Sequence, residues 1–284
     1  MKKFRDFLSE DLGGALVEPQ SNAAKQAKQL GLVYVGFGRY EDQKTGQITH
    51  IVQNDRLVPF SKAVKTNTFQ QQSGDDYGSY VKAMRPEIEQ TSVALTNYYK
   101  PEKYENDELD AIQLYTSTGY NDINQRLISL PTGIAAKNIQ PTSPDDYVPS
   151  TIASLDSALS KSKSPMYFTV YAGIGNSYNP TQFVPGQNMT FKSYRSTSLN
   201  PNIILNNVER DGDQSTAVLQ IQIKKDSSGM YVNDFSTNSD ESEYLLPRGT
   251  SIRIVDGPFR MIGSNQFTQE SNLQIRYFNC ILVK

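Results

Sequence analysis

Between residues 104 and 165 the apolar positions recur at helical intervals. Leu109, Ile112 and Leu114 form one run, and Ile123, Leu127 and Leu130 the next; their mostly three- and four-residue spacing lines up side chains on one helix face. Gly119 lies between the two runs, so the pattern predicts two short helices separated there. In a third helix Ile152, Leu155 and Leu159 face the core, and Pro165 closes it. From residue 166 the texture changes to short apolar or alternating runs. They predict strands over 166–174, 189–198, 217–224, 243–246, 250–255 and 274–284. Helices first and antiparallel strands afterwards is the order of an α+β protein, not of alternating βαβ units.

The N-terminal third is less regular. Phe4, Phe7 and Leu8 fall at helical spacing ahead of Gly13-Gly14, without the continuous apolar stretch of a secretory signal. Residues 15–30 read as a linker or weak helix. Residues 31–53 read as a hairpin that Arg56-Leu57-Val58-Pro59-Phe60 continues. Gly36-Phe37-Gly38 is not a dinucleotide fingerprint, because the third glycine is missing and the segment leads to another strand. Residues 60–90 are polar with little sustained period and predict a long connection. The chain thus divides into an accessory region over 11–90 and a larger domain over 91–284, with residues 1–10 apart from both. No internal repeat is visible.

Composition narrows the chemistry. The 284 residues suffice for one large domain or two modest ones, and a net charge of −2 supplies no basic field for nucleic acid. The single Cys280 excludes an internal disulfide framework, and with only one histidine, His50, the chain predicts no zinc site and no histidine-based triad. No apolar run reaches the length of a bilayer-spanning helix.

One short stretch raises a question of its own. Glu241 and Glu243 flank Ser242 just ahead of the apolar Tyr244-Leu245-Leu246. At the entry of a strand, residues two apart share a face roughly 6.5–7 Å apart, and like charges that close oppose each other's ionisation. A solvated strand entry is the ordinary explanation of such a pair. Two further segments precede it in order: Met166 to Gly175, with Tyr171-Ala172-Gly173, and then Ser196-Thr197-Ser198.

Taken together, the three segments resemble the arginine-serine-glutamate class of mono-ADP-ribosyltransferases. There an aromatic-arginine strand, a Ser-Thr-Ser motif and a Glu-x-Glu motif hold NAD. The likeness covers residues 95–284. Tyr115 to Asn124 is similar to the tyrosine-rich helix ahead of the active site, and Ile152 to Leu159 to the helix before the first strand in the head-packaged transferases of T-even bacteriophages. The resemblance implies an α+β ADP-ribosyltransferase fold, with helices ahead of two packed antiparallel sheets and NAD in the cleft between them. It implies Glu243 as the catalytic carboxylate beside the ribose, Glu241 as the carboxylate that orients an arginine acceptor, and no metal. Tyr171, Gly173, Ser196, Thr197 and Ser198 become the cofactor-binding set. Phe235, in the preceding loop, is either a target-recognition residue or that loop's packing anchor.

Two features extend the comparison. Where the family has arginine after the aromatic residue, this chain has Ala172, which has no fork to offer a phosphate. The expectation is an inactive arginine-to-alanine variant; a natural non-catalytic binding protein, or substitution by Arg126 or Arg195, are the alternatives. Residues 1–10 resemble the capsid-targeting leaders of phage head proteins, and Leu8-Ser9-Glu10 fits the head maturation protease, with cleavage after Glu10. The resemblance therefore implies packaging in the virion and delivery to the host cytoplasm. There the enzyme would modify arginines of host proteins such as RNA polymerase or transcription and translation factors. Transfer of ADP-ribose to water, as an NAD glycohydrolase, is the other chemical outcome.

Overall fold

The computed structural model describes residues 22–36, 39–45, 48–53, 56–59, 77–174, 183–204, 217–237, 239–264 and 271–283. The proposed leader, Glu10 included, lies outside them. The chain divides into two compact units, residues 1–72 and 73–284.

The first unit has a helix, α1 (Asn22–Gln29), and four strands, β1 (Leu32–Gly36), β2 (Arg39–Asp42), β3 (Ile48–Gln53) and β4 (Arg56–Pro59). The strands form an antiparallel sheet in sequence order. α1 buries Ala23, Ala24 and Ala27, and Ala27 packs with Leu32 and Tyr40 in a small core. The expected hairpin is thus the start of a four-stranded meander, and of the two readings of residues 15–30 the helix holds over α1.

The second unit opens with α2 (Tyr77–Tyr98). This corrects the expectation of a connection over residues 60–90. Ile88, Leu95 and Tyr99 do follow a helical repeat and pack into the core, but Thr91 occupies the buried position between them and Pro86 interrupts the pattern. Next come α3 (Asn106–Leu114), α4 (Tyr120–Ser129) and α5 (Val148–Lys161). Gly119 does not separate α3 from α4 as expected. It keeps helical dihedrals, and Tyr115–Gly119 forms one π-helical turn that joins the two. The widened turn lets Tyr115, Thr116 and Gly119 all face inward.

Eight strands follow: β5 (Phe168–Ile174), β6 (Asn188–Thr190), β7 (Arg195–Ser198), β8 (Ala217–Ile223), β9 (Met230–Tyr231), β10 (Glu243–Leu246), β11 (Ser251–Ser264) and β12 (Ser271–Leu282). Their order is β6-β11-β12-β8-β5-β7-β10-β9, antiparallel except for the parallel pair β8/β12. The two halves, β6-β11-β12-β8-β5 and β7-β10-β9, join through the single pair Tyr171↔Ser198. One core holds the second unit together, from Leu95 and Ile112 through Leu155 and Leu159 to Val170, Leu219, Leu245 and Phe278. The expected strand over 189–198 is split into β6 and β7 by Phe191 to Tyr194, of which Phe191 and Tyr194 are buried. The α+β class is as the sequence predicted, and the two antiparallel-rich halves are as the resemblance implied.

Candidate active site

Glu243 begins β10, and its neighbour β7 positions everything that touches it. The two strands pair antiparallel with Glu243 opposite Ser198 and Leu245 opposite Ser196. Opposed residues share a face, so Ser196 and Ser198 stand on the side of Glu243. Ser196 Oγ donates to Glu243 Oε1 over 2.5 Å. Glu243 is 5% exposed, and this burial pushes its carboxyl up to about 7; the Ser196 hydroxyl pulls the other way and Glu241 adds to the rise. Ser196 itself is an exposed residue, so the site reaches the protein surface there.

The other two hydroxyls of the motif serve the backbone. Thr197, on the opposite face, donates to the Tyr244 carbonyl oxygen at 2.5 Å. Ser198 donates to the Glu241 carbonyl oxygen at 2.6 Å and accepts from the Asn200 amide at 2.9 Å.

Glu241 is not on the strand. It ends a 3-10 turn, Ser239–Glu241, and Ser242 after it holds a left-handed φ of 49°. The alternation that predicted two carboxylates on one strand face therefore does not apply. Glu241 is instead delivered by a turn, half-buried and close enough to act on Glu243 electrostatically.

The π-helical turn closes one side. The Tyr115 hydroxyl accepts from Asn124 Nδ2 at 3.0 Å, and its ring meets Tyr194 edge-on at 5.6 Å. Burial pushes this phenol well up; of the nearby charges, Glu243 adds to the rise and Arg195 opposes it. Arg195 also lies over the Phe191 ring at 5.6 Å. Behind the site, Asp156 of α5 accepts from the Tyr194 hydroxyl at 2.7 Å and is gripped by Arg248, Nε to Oδ1 at 2.9 Å and Nη2 to Oδ2 at 2.5 Å. One carboxylate thus ties the segments flanking β7 and β10 to the helical layer.

Residues 93–276, more than half of the chain, match the family described as ADP-ribosyltransferase exoenzyme. The chain belongs to this family. Solved structures agree in fold. Plx2a, an ADP-ribosyltransferase toxin from Paenibacillus larvae, is 21% identical with a TM-score of 0.52, over 70% of this chain and 96% of that one. The Clostridium limosum C3 exoenzyme is 16% identical with a TM-score of 0.51, over 69% and 95%. An ADP-ribosyltransferase from Clostridium botulinum is 18% identical with a TM-score of 0.50, over 70% and 96%. Among curated proteins no sequence matches the chain.

Within this transferase the structure brings Glu243, Ser196, Ser198 and the turn bearing Glu241 together, with Tyr171 opposite Ser198. Gly173 lies half-buried in β5, opposite Val218. Ala172 is not brought to the carboxylate. It alternates with Tyr171, has no exposed surface and lies in the core with Val170 and Ile174. Phe235 is half-buried against the core and edge-on to Tyr104 at 5.9 Å. Of the alternative arginines, Arg126 is committed to Asp146 at 2.9 Å and to the Gln140 carbonyl oxygen, whereas Arg195 stands beside the site. Sequence reasoning missed Asn233, whose Oδ1 accepts from the Ser242 amide at 3.1 Å. It also missed the clamp on Asp156, and no local motif signals either. Among the described residues no three His, Cys, Asp or Glu side chains cluster as metal ligands, and no helix is long and apolar enough to cross a membrane.

Proposed function

We propose that the chain is an NAD-dependent mono-ADP-ribosyltransferase that modifies arginine side chains of protein targets. The observation that carries this reading is the buried Glu243 carboxyl, held by a hydrogen bond from Ser196, an exposed residue, with a second carboxylate, Glu241, beside it. Breaking the bond between nicotinamide and ribose leaves an oxocarbenium-like sugar. A fixed carboxylate in a low-dielectric setting stabilises that developing charge. An arginine acceptor must be oriented and must lose a proton, which Glu241 is placed to help. The guanidinium nitrogen then bonds to the ribose carbon, nicotinamide leaves with the electron pair of the broken bond, and one proton is released.

The proposal gives the NAD phosphates to Arg195, which directly precedes Ser196 in β7, whereas Arg126 is held by Asp146 and the Gln140 carbonyl oxygen. Ala172→Arg bears on the inactive-variant reading: unchanged turnover supports Arg195, and a gain returns the role to position 172. On the leader motif Leu8-Ser9-Glu10 the proposal extends to cleavage after Glu10, packaging in a phage head and action on host proteins. Mass spectrometry of virions should find a chain beginning at Asp11, and its absence from virions removes that part.

The deciding experiment measures nicotinamide release and label transfer from radiolabelled NAD to polyarginine. Both are expected, both lost in Glu243→Gln, and only transfer lost in Glu241→Gln. Nicotinamide release without transfer makes the protein an NAD glycohydrolase; neither, with no thermal shift on adding NAD, makes it a non-catalytic binder.

A further inference from the structure

The turn that carries Glu241 is short, strained and held almost entirely from outside. Ser239–Glu241 is a single 3-10 turn, and Ser242 holds φ at 49°, a conformation that side chains other than glycine keep only when their surroundings enforce it. Three hydrogen bonds to the turn's backbone enforce it. From β7 and the residue after it, Ser198 Oγ donates to the Glu241 carbonyl oxygen at 2.6 Å and the Leu199 amide to the Ser242 carbonyl oxygen at 3.0 Å. From the loop on the other side, Asn233 Oδ1 accepts from the Ser242 amide at 3.1 Å. On that side the Tyr231 hydroxyl also meets the Ser242 side chain, whereas Asn233 holds the Ser242 backbone amide.

Glu243 has its own supports. Ser196 holds its carboxylate, and its carbonyl oxygen accepts from the Val232 amide at 3.0 Å. Neither contact involves Asn233, so the two carboxylates of the site are anchored separately.

We propose that Asn233 is a positioning residue that latches the turn bearing Glu241, and that this latch directs ADP-ribose to the acceptor instead of to water. The inference rests on the reading of Glu241 as the carboxylate that receives an arginine acceptor. Without the latch Ser242 relaxes to an ordinary φ, Glu241 swings with it, and the acceptor loses its guide while cleavage of NAD at Glu243 continues. Losing one hydrogen bond that enforces a strained residue should lower transfer roughly tenfold.

The test compares the full chain with Asn233→Ala and with Asn233→Asp, which keeps the accepting oxygen. Nicotinamide release without acceptor is measured beside ADP-ribosylation of agmatine, and amide hydrogen exchange is followed over residues 239–243. The expected result is unchanged nicotinamide release in Asn233→Ala, transfer down roughly tenfold, faster exchange confined to the turn, and recovery of transfer in Asn233→Asp. Unchanged exchange in Asn233→Ala overturns the latch whatever the turnover. A parallel fall of release and transfer, or undiminished transfer, overturns its role in acceptor choice. A wild-type chain that releases nicotinamide and labels no agmatine refutes the arginine reading instead, and the acceptor role of the latch falls with it.

Discussion

Ser196 reaches Glu243 diagonally. The residue directly opposite Glu243 is Ser198, yet the carboxylate leans two positions along β7 and takes its 2.5 Å hydrogen bond from Ser196 Oγ. Diagonal neighbours on one face lie within side-chain reach, and Ser198 is already committed to the Glu241 carbonyl oxygen. Ser196→Ala therefore removes the one hydroxyl that favours the charged form of Glu243. NAD turnover is expected to fall by about ten- to a hundredfold, with the rising limb of its pH profile displaced to higher pH. A Ser198→Ala variant should leave that limb in place.

Glu243 also bears on stability. Burial holds its carboxyl at about 7 in the folded chain, above its ordinary value of 4.5. The folded state therefore binds this proton more tightly than the unfolded state, and stability falls as pH rises from about 4.5 to 7 and stays lowered above that. Glu243→Gln, which is neutral at every pH, should stabilise the protein at pH 8 by up to about 3 kcal/mol and change little at pH 4. Urea titrations at the two pH values check this; equal effects at both would place the carboxyl in an ordinary environment. The same ionisation predicts that NAD turnover rises through neutral pH, since the ribosyl cation is stabilised by the carboxylate form.

Much of the second unit could be read from the chain because its core positions obey their periods. Ile152, Leu155 and Leu159 are buried as predicted, and so are Val170, Ile174, Leu219 and Ile221 in the strands. Local signals failed where a buried position carries a polar residue or a backbone departs from the regular period. Thr91 hid α2, and the π-helical turn hid the continuity of α3 and α4. At the site, Glu243 and Ser196 were legible as motifs. The location of Glu241 was not, because a left-handed Ser242 leaves no mark in composition. Asn233 and Asp156 act through partners nine and ninety-two residues away, and no short window can show such a pair. The glycine before β9 shows the same limit. Gly229 has φ at 150°, and an added Cβ would lie 2.6 Å from the Tyr244 ring, a close approach that only the folded chain reveals.

Glu108 offers a stability test away from the site. It closes a capping box at the start of α3 with Glu105, accepts from Ser157 Oγ at 2.6 Å and pairs with Lys161 Nζ at 2.7 Å. Burial raises its carboxyl, but Lys161, Ser157 and the Glu105 amide outweigh this and hold it below the ordinary value. The Lys161 side chain is 45% exposed, so solvent screens the ion pair and the cap and the hydroxyl matter more. Glu108→Ala should cost about 2 kcal/mol at pH 7. A lowered carboxyl contributes stability above its unfolded value of 4.5 that is lost as pH falls through its folded value. The variant and the wild type should therefore converge in urea titrations at the acid end, and a constant gap would remove the charge from the account.

Asp156 joins stability to catalysis. Its carboxylate takes the Tyr194 hydroxyl, two residues before Ser196, and both forks of Arg248, two residues after β10. The Arg248 side chain is 12% exposed and that of Asp156 31%, so removing the acid strands a largely buried cation. Asp156→Ala is expected to cost about 2 kcal/mol, less than a fully buried pair because water reaches Asp156. Asp156→Asn keeps an acceptor for Tyr194 and should lose less. Because Tyr194 anchors the approach to Ser196, the alanine variant should also lower NAD turnover per folded molecule, with Glu243 titrating at higher pH as its serine drifts. Chemical denaturation and a pH profile on the same preparation separate the two effects. Lost stability with an unmoved profile would confine Asp156 to the scaffold.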